Sequence, residues 1–295
     1  MRSLFPYFGA KSRAAPLVWE HLGDPECYIE PFGGSLAVLL ARPTSTPRVE
    51  IAGDLDGLLM NFWRCIVTDW REMLPHFSGI VAEADLYAKH AALINARASL
   101  TDKLMADDGY YDPRLAAWWW EGISAFLGSG FGHRLAKQRP HIDRSLKGVW
   151  ATSMTDERID QVAHRLGNVM LIAGDWKRSC TDAILNRFNR GTGVFLDPPY
   201  SGKRQPGLYV EDTHLRDQVV EWCLRPHHPK VSIVLAGYDN EYPELRAAGW
   251  DVRVWKAPNG YAQEGNDRRK AEALYVRRRR RTIPRGATPV PNRGN

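Results

Sequence analysis

The 295 residues include only four cysteines, Cys27, Cys65, Cys180 and Cys223, and no two of them form a CxxC pair. That scarcity excludes a disulfide framework and a zinc knuckle, and predicts reduced thiols with a structural role. Long apolar runs are missing as well. None approaches the ~20 residues needed to span a bilayer, and the opening MRSLFPYFGAKSRAAP lacks the unbroken apolar stretch of a secretory leader. A cytoplasmic location is the expectation. Acidic residues are absent from residues 277–295, which hold seven arginines, so a chain of net charge +6 has a body of only −1. The excess positive charge is in this tail, which reads as disordered. Inside the body a second basic stretch, GHRLAKQRPHIDRSLKG, sets Arg134, Lys137, Arg139, Arg144 and Lys147 against Asp143 alone. It is the stronger candidate for ordered phosphate contacts with DNA.

With 44% hydrophobic residues the chain can bury a sizeable core. From position 28 the pattern is a short strand (YIE), a Gly-rich turn, an apolar helix (LAVLLA), a second strand (VEIA) and a helix starting near Leu55. This is the opening of a doubly wound α/β sheet. Over residues 71–166 strand patterns give way to helical or irregular sequence, which predicts an insertion with its own small core. Strands resume at VMLIAGD, GVFLDPPY, KVSIVLAGY, WDVRVWKA and EALYV. The expected fold is α/β, a Rossmann-like sheet domain split into residues 1–70 and 167–277. Residues 71–166 form a mainly helical insertion and 278–295 a basic tail.

The sharpest motif is Asp197-Pro198-Pro199-Tyr200, which follows the apolar residues Val194, Phe195 and Leu196 and so lies at the carboxyl end of a strand. Ligands of open α/β sheets bind at that edge. Two prolines make a rigid turn without amide donors, leaving carbonyls free to accept from an amino group. The exocyclic amine of adenine is a poor nucleophile because its lone pair is delocalised into the ring. Acceptors such as the Asp197 carboxylate and the Pro198 carbonyl draw on its hydrogens, and Tyr200 can stack on a base rotated out of a duplex. Taken alone, the motif could also be only a stiffened loop. A second element, Glu30-Pro31-Phe32-Gly33-Gly34-Ser35, lies between the first strand and its helix, where glycines admit a cofactor to the backbone. About 20 residues later, at the end of the second strand, Asp54 is positioned to accept from ribose hydroxyls.

Together these pieces resemble the Dam-like, D12-class, alpha-type family of DNA adenine N6-methyltransferases, over most of the sheet domain. The family's N-terminal motif is matched by Tyr7-Phe8-Gly9-Ala10-Lys11, its EPF-x-G turn by Glu30 to Gly34, and its Gly-Asp-aromatic element by Gly174-Asp175-Trp176. The resemblance implies S-adenosylmethionine as cofactor. It places Lys11 at the methionine carboxylate, Asp54 at the ribose, and Asp175 with Trp176 near the cofactor adenine. The cofactor set is therefore Tyr7, Lys11, Glu30, Pro31, Phe32, Gly33, Gly34, Ser35, Asp54, Asp175, Trp176 and Asp197. The catalytic set is Asp197, Pro198, Pro199 and Tyr200. The resemblance also implies double-stranded DNA as partner, site-specific action by base flipping, and no metal; a monomer or weak dimer is expected. One departure stands out: members often carry a glycine two positions after Gly34, and here that position is Leu36, which could remodel the pocket. The same chemistry on cytosine N4, an RNA adenine or a protein amide is an alternative, as is a catalytically silent DNA-binding homologue. A phage orphan and half of a restriction–modification pair both fit.

Elsewhere simpler readings prevail. Trp118, Trp119 and Trp120 point in different directions on a helix and predict core packing. His227 and His228, between Pro226 and Pro229, predict a turn rather than a metal site. Asp85 and its acidic neighbours predict a solvated helical face. The Gly-rich residues 128–132 suit either a DNA-facing segment or a surface loop.

Overall fold

Two strands with no exposed residue lie at the centre of the molecule. In the computed structural model, which describes residues 1–5, 11–43, 48–78, 82–125, 131–132, 155–199, 212–255 and 271–277, these are β1 (Cys27–Glu30) and β4 (Thr192–Leu196). Strands covered on both faces are mainly apolar, and here only Glu30 and Thr192, at the strand ends, bury a strongly polar side chain.

The first helix, α1 (Ala15–Leu22), leads into β1, and the short α2 (Ala37–Leu40) into β2 (Val49–Asp54). Asp56 then caps α3 (Gly57–Asp69), its side chain accepting from the Leu58 amide at 3.0 Å. A 3-10 segment, Trp70–His76, leads to α4 (Glu83–Ala106), α5 (Pro113–Ala125) and α6 (Asp156–Leu166). Next come β3 (Val169–Ala173), α7 (Asp182–Leu185), β4, α8 (Asp212–Leu224), β5 (Val231–Tyr238), α9 (Pro243–Ala247), β6 (Asp251–Trp255) and β7 (Glu272–Val276). Every strand expected from the sequence is present.

The seven strands form one sheet in the order β3-β2-β1-β4-β5-β7-β6. The first five pair in parallel, while β7 runs antiparallel between β5 and β6. This is the expected Rossmann-like α/β sheet. The chain winds outward from β1 through β2 to β3, then returns to start again at β4 on the other side of β1. The strand order therefore reverses between β1 and β4, and a crevice opens at such a reversal outside the carboxyl ends of the strands.

Alternation along the strands splits the core in two. Tyr28, Ala52 and Phe195 face one apolar cluster with α1 and α3. Cys27, Ile29, Val194 and Leu196 face the other, with Val219 and Trp222 of α8. The helices between the 3-10 segment and α6 do not form a separate core among the described residues. Trp119 and Trp120 of α5 are buried in the first cluster against Phe62 and Trp63 of α3, with Trp119 and Trp120 ring centroids 5.4 and 5.1 Å from Phe62. Trp118 is half-buried beneath Arg114. The tryptophan triplet is thus packing, as expected, but it joins the insertion to the sheet domain. At the far end Arg165 of α6 grips Glu50 of β2 with contacts of 2.6 and 2.8 Å.

Candidate active site

The sequence motifs converge on one edge of the sheet because parallel strands in register end together. Glu30 lies opposite Ala52, Ala52 opposite Leu171, and Asp54 opposite Ala173; Ile29 lies opposite Val194, two residues before Leu196 and three before Asp197. The turn 31–35, Asp54, the Gly174-Asp175-Trp176 corner and Asp197 therefore share the carboxyl edge.

Hydrogen bonds from backbone amides stitch two of these loops to the end of β2. Gly33 donates to the Gly53 carbonyl at 2.7 Å, Gly34 to Asp54 Oδ2 at 3.0 Å, and Gly174 to the Asp54 carbonyl at 2.9 Å. A side chain at position 33 would not fit: its Cβ would come 2.8 Å from Leu36 Cδ2 and 3.1 Å from the Gly53 oxygen. Leu36, two positions after Gly34, is the departure noted in the turn. Its backbone adopts the left-handed conformation a glycine would favour, with φ 53° and ψ 27°, while its side chain is buried beneath the turn. The departure thus preserves the turn's path.

Asp54 is half-buried. Besides Gly34 it accepts from the Asp56 amide at 2.9 Å. Desolvation is the main reason its pKa rises to about 6, and the amides of Asp56 and Gly34 offset part of that rise. Glu30 is buried, and its Oε2 accepts from the Tyr28 hydroxyl at 2.9 Å and the Leu39 amide at 3.0 Å. Burial pushes its carboxyl up to about 8, against the pull of those two donors, and the charge of Asp197 adds to the rise. Inside the turn Glu30 thus braces the start of α2.

Lys11, 4% exposed, lies with Nζ 3.1 Å from Asp197 Oδ1. It joins the N-terminal motif directly to the DPPY turn. Pro198 is buried, and Asp197 and Pro199 are half-buried. Asp175 is exposed and caps the short 3-10 turn Trp176–Arg178, accepting from Lys177 N at 2.7 Å. Trp176 is buried, its ring 5.9 Å from that of Phe32 and 5.7 Å from that of Trp222. Its indole N–H has no hydrogen-bond partner among the described residues. Buried donors are normally satisfied, so an orphan beside a glycine-lined turn fits a ligand acceptor. Tyr7, Tyr200 and the basic residues Arg134, Lys137, Arg139, Arg144 and Lys147 lie outside the described residues.

Residues 7–122 match the family model of the D12 class N6 adenine-specific DNA methyltransferases. The match indicates an adenine-specific DNA methyltransferase. A methyl donor and a DNA substrate follow from that activity. The matched segment contains the turn 31–35 and Asp54 and extends to Gly122 of α5; Asp197 falls beyond it. No curated protein matches the chain.

Other features of the methyltransferase are structural. All four cysteines are buried and unpaired. Desolvation pushes Cys27 and Cys180 up to about 12, so neither supplies a thiolate near neutral pH. The His227 ring donates through Nε2 to the Trp222 carbonyl, 2.7 Å away. Among the described residues no cluster suited to a metal ion occurs, and no helix is long and apolar enough to cross a membrane.

Three functional-looking charges on the helices were not singled out from sequence. Lys89 of α4 is buried, pairing with the buried Glu121 of α5 and, at 2.7 Å, with the half-exposed Asp85. The expected solvated acidic face is thus in part the outer end of a buried network. Glu121 also accepts from Ser78 Oγ at 2.7 Å. Arg97 is the third. The one legible signal was Glu121 itself, a carboxylate between Trp120 and Gly122 in an otherwise apolar run.

Proposed function

We propose that this chain transfers the methyl group of S-adenosylmethionine to N6 of an adenine flipped out of a specific double-stranded DNA site. The observation carrying this reading is the 3.1 Å contact between Lys11 and Asp197, which links the N-terminal motif to the DPPY turn beside the β1/β4 reversal. S-adenosylmethionine supplies an already activated methyl group when bound.

The residues around the reversal suit that cofactor. Gly33 and Gly34 let it approach the backbone, the Asp54 carboxylate accepts from ribose hydroxyls, and Phe32 with the unpartnered indole of Trp176 suits an adenine ring. Asp175, exposed at the adjoining corner, is in reach of the same ring system. An ammonium has three donors, so Lys11 can hold Asp197 and still meet the donor's carboxylate. Across the crevice the Asp197 carboxylate and the Pro198 carbonyl accept from the target amine. As the nitrogen turns tetrahedral and gains positive charge, Asp197 stabilises it where it develops. The adjoining prolines keep these acceptors from moving. Tyr200 stacks on the flipped base, and Arg134, Lys137, Arg139, Arg144 and Lys147 hold phosphates.

Mass spectrometry of nucleosides from unmethylated genomic DNA, incubated with the protein and S-adenosylmethionine, tests the acceptor. N6-methyldeoxyadenosine is the expected product, and Asp197→Ala lowers its rate of formation on the order of 10²–10³-fold. N4-methyldeoxycytidine, or no modified base from folded protein that binds the cofactor, would refute the reading.

A further inference from the structure

The two edges of the sheet are finished differently. One edge strand, β6, carries Asp251 and Arg253, and charge on an edge discourages pairing with another chain. The other, β3, reads Val169-Met170-Leu171-Ile172-Ala173, without charge, proline or glycine. Among the described residues no strand pairs with its outer side. The Gly174 amide donates to the Asp54 carbonyl, so by alternation Ile172 and Met170 also turn their backbone groups toward β2. The N–H and C=O of Val169 and Leu171 therefore point outward. The Ala173 carbonyl points outward too and accepts from Arg178.

The side chains add an apolar surface to this open edge. Val169, Leu171 and Ala173 face the cluster beneath α3, whereas Ile172 packs against the other cluster and Met170, on that same face, is 57% exposed. Beside Leu171 a groove of about 450 Å³ lies between β3 and helices α3 and α4, with Val67, Thr68 and Leu104 in its walls. Arg178 and Asp108 line it as well. Both are exposed, they are opposite in sign, and neither is in an ion pair among the described residues.

We propose that β3 pairs antiparallel with β3 of a second copy of this chain, about a two-fold axis at Leu171. This is the symmetric register that overlaps all five residues of the strand. The two Leu171 residues then exchange N–H···O=C bonds, Val169 lies opposite the partner's Ala173, and the exposed Met170 is covered by the partner's Ile172. Each Leu171 side chain enters the groove of the other copy. A two-fold interface sets one patch against itself, so a patch of a single sign would repel its copy. This patch has an apolar centre and carries both signs, with Arg178 of one copy free to meet the partner's Asp108. Antiparallel pairing turns the carboxyl edges of the two sheets in opposite directions, so each copy keeps its own crevice. The pairing is independent of the function proposed above.

Sedimentation equilibrium of the full-length chain over a concentration series tests the pairing. The mass is expected to rise from one chain to two and stop there, because a two-fold contact closes on itself. Met170→Lys places an ammonium against the partner's Ile172 twice per dimer and should raise the dissociation constant roughly tenfold or more. Leu171→Pro removes a donor that β2 does not use and should leave the chain monomeric. If that variant does not fold, Met170→Lys decides, since its side chain is outside the core. Val254→Lys, at an exposed position of β6, should leave the constant unchanged. A mass of one chain at every concentration up to about 0.1 mM overturns the proposal and leaves the edge to a strand of a different protein. So does a dimer that Met170→Lys leaves intact, or one that Val254→Lys weakens equally.

Discussion

The carboxyl edge of the sheet and the helical insertion hold their functional residues by opposite means. At the sheet edge the scaffolding is mostly backbone: Gly33 and Gly174 donate to carbonyls at the carboxyl end of β2, and Gly34 to the Asp54 carboxylate. In the insertion the scaffolding is charged side chains in a buried setting. Lys89 meets Glu121, Arg97 meets Asp56 and Gly132, and Arg64 donates to the carbonyls of Leu104, Asp107 and Tyr110. Backbone stitching tolerates changes in side-chain identity as long as the turn's path is kept, as Leu36 shows. Buried charge does not, because loss of one partner strands the other without water.

The contrast breaks most visibly at Glu121. Glu121→Ala leaves the buried Lys89 ammonium with the half-exposed Asp85 as its remaining carboxylate and should lower stability by about 3 kcal/mol, the lower end of the range for a broken buried pair. Chemical denaturation would measure it, and an effect below ~1 kcal/mol, the range of exposed ion pairs, would mean that the pair is solvated like a surface one. A smaller effect is expected at Leu36 on the sheet side, where two opposing contributions must be weighed. Leu36→Gly relieves a left-handed conformation that costs roughly 1–2 kcal/mol. It also empties a buried leucine site, worth about 2–5 kcal/mol when truncated to alanine. Burial wins, and the variant should be destabilised by about 1–3 kcal/mol, net of the two. A more stable glycine variant would show that strain, not packing, dominates this turn.

The third effect is a pH dependence at Asp54. Its pKa of about 6 lies above the 3.8 of an unperturbed aspartate, so folding favours the neutral carboxyl. Its contribution to stability is complete below about 3.8 and is lost as pH rises through 6. Donor binding has the opposite sense, because the ionised carboxylate is the better acceptor for ribose hydroxyls. Affinity for S-adenosylhomocysteine should be level above pH 7 and about tenfold weaker at pH 5, as one unit below the pKa leaves about a tenth of the groups ionised. Asp54→Asn should flatten that profile. A wild-type profile that is already flat would show that ionisation of Asp54 does not control donor binding.

The same contrast explains what could be read in advance. The strands were legible as apolar or alternating runs, most of them flanked by Gly, Pro or Asp, and the edge motifs because a rigid turn, a glycine pair and a strand-end acid carry chemistry in their order. Lys89 and Asp85, four apart on a helix, look in sequence like an ordinary surface pair. What buries Lys89 is Glu121, 32 residues away, and no local pattern reports that. Arg97 was illegible for the same reason, its partners Asp56 and Gly132 being 41 residues before it and 35 after it. The absence of a separate core in the insertion was hidden likewise, because Phe62 and Trp63 pair with Trp119 and Trp120 only in space. At Lys11 the sequence supplied the residue but not its neighbour, the Asp197 carboxylate.

Single-molecule sequencing of DNA from cells expressing the wild-type protein, beside cells expressing Asp197→Ala, tests the central claim most directly. The account predicts N6-methyladenine at one short sequence motif in the wild type and its loss in the variant. Unmodified adenine throughout, in cells containing folded protein that binds S-adenosylmethionine, would contradict it.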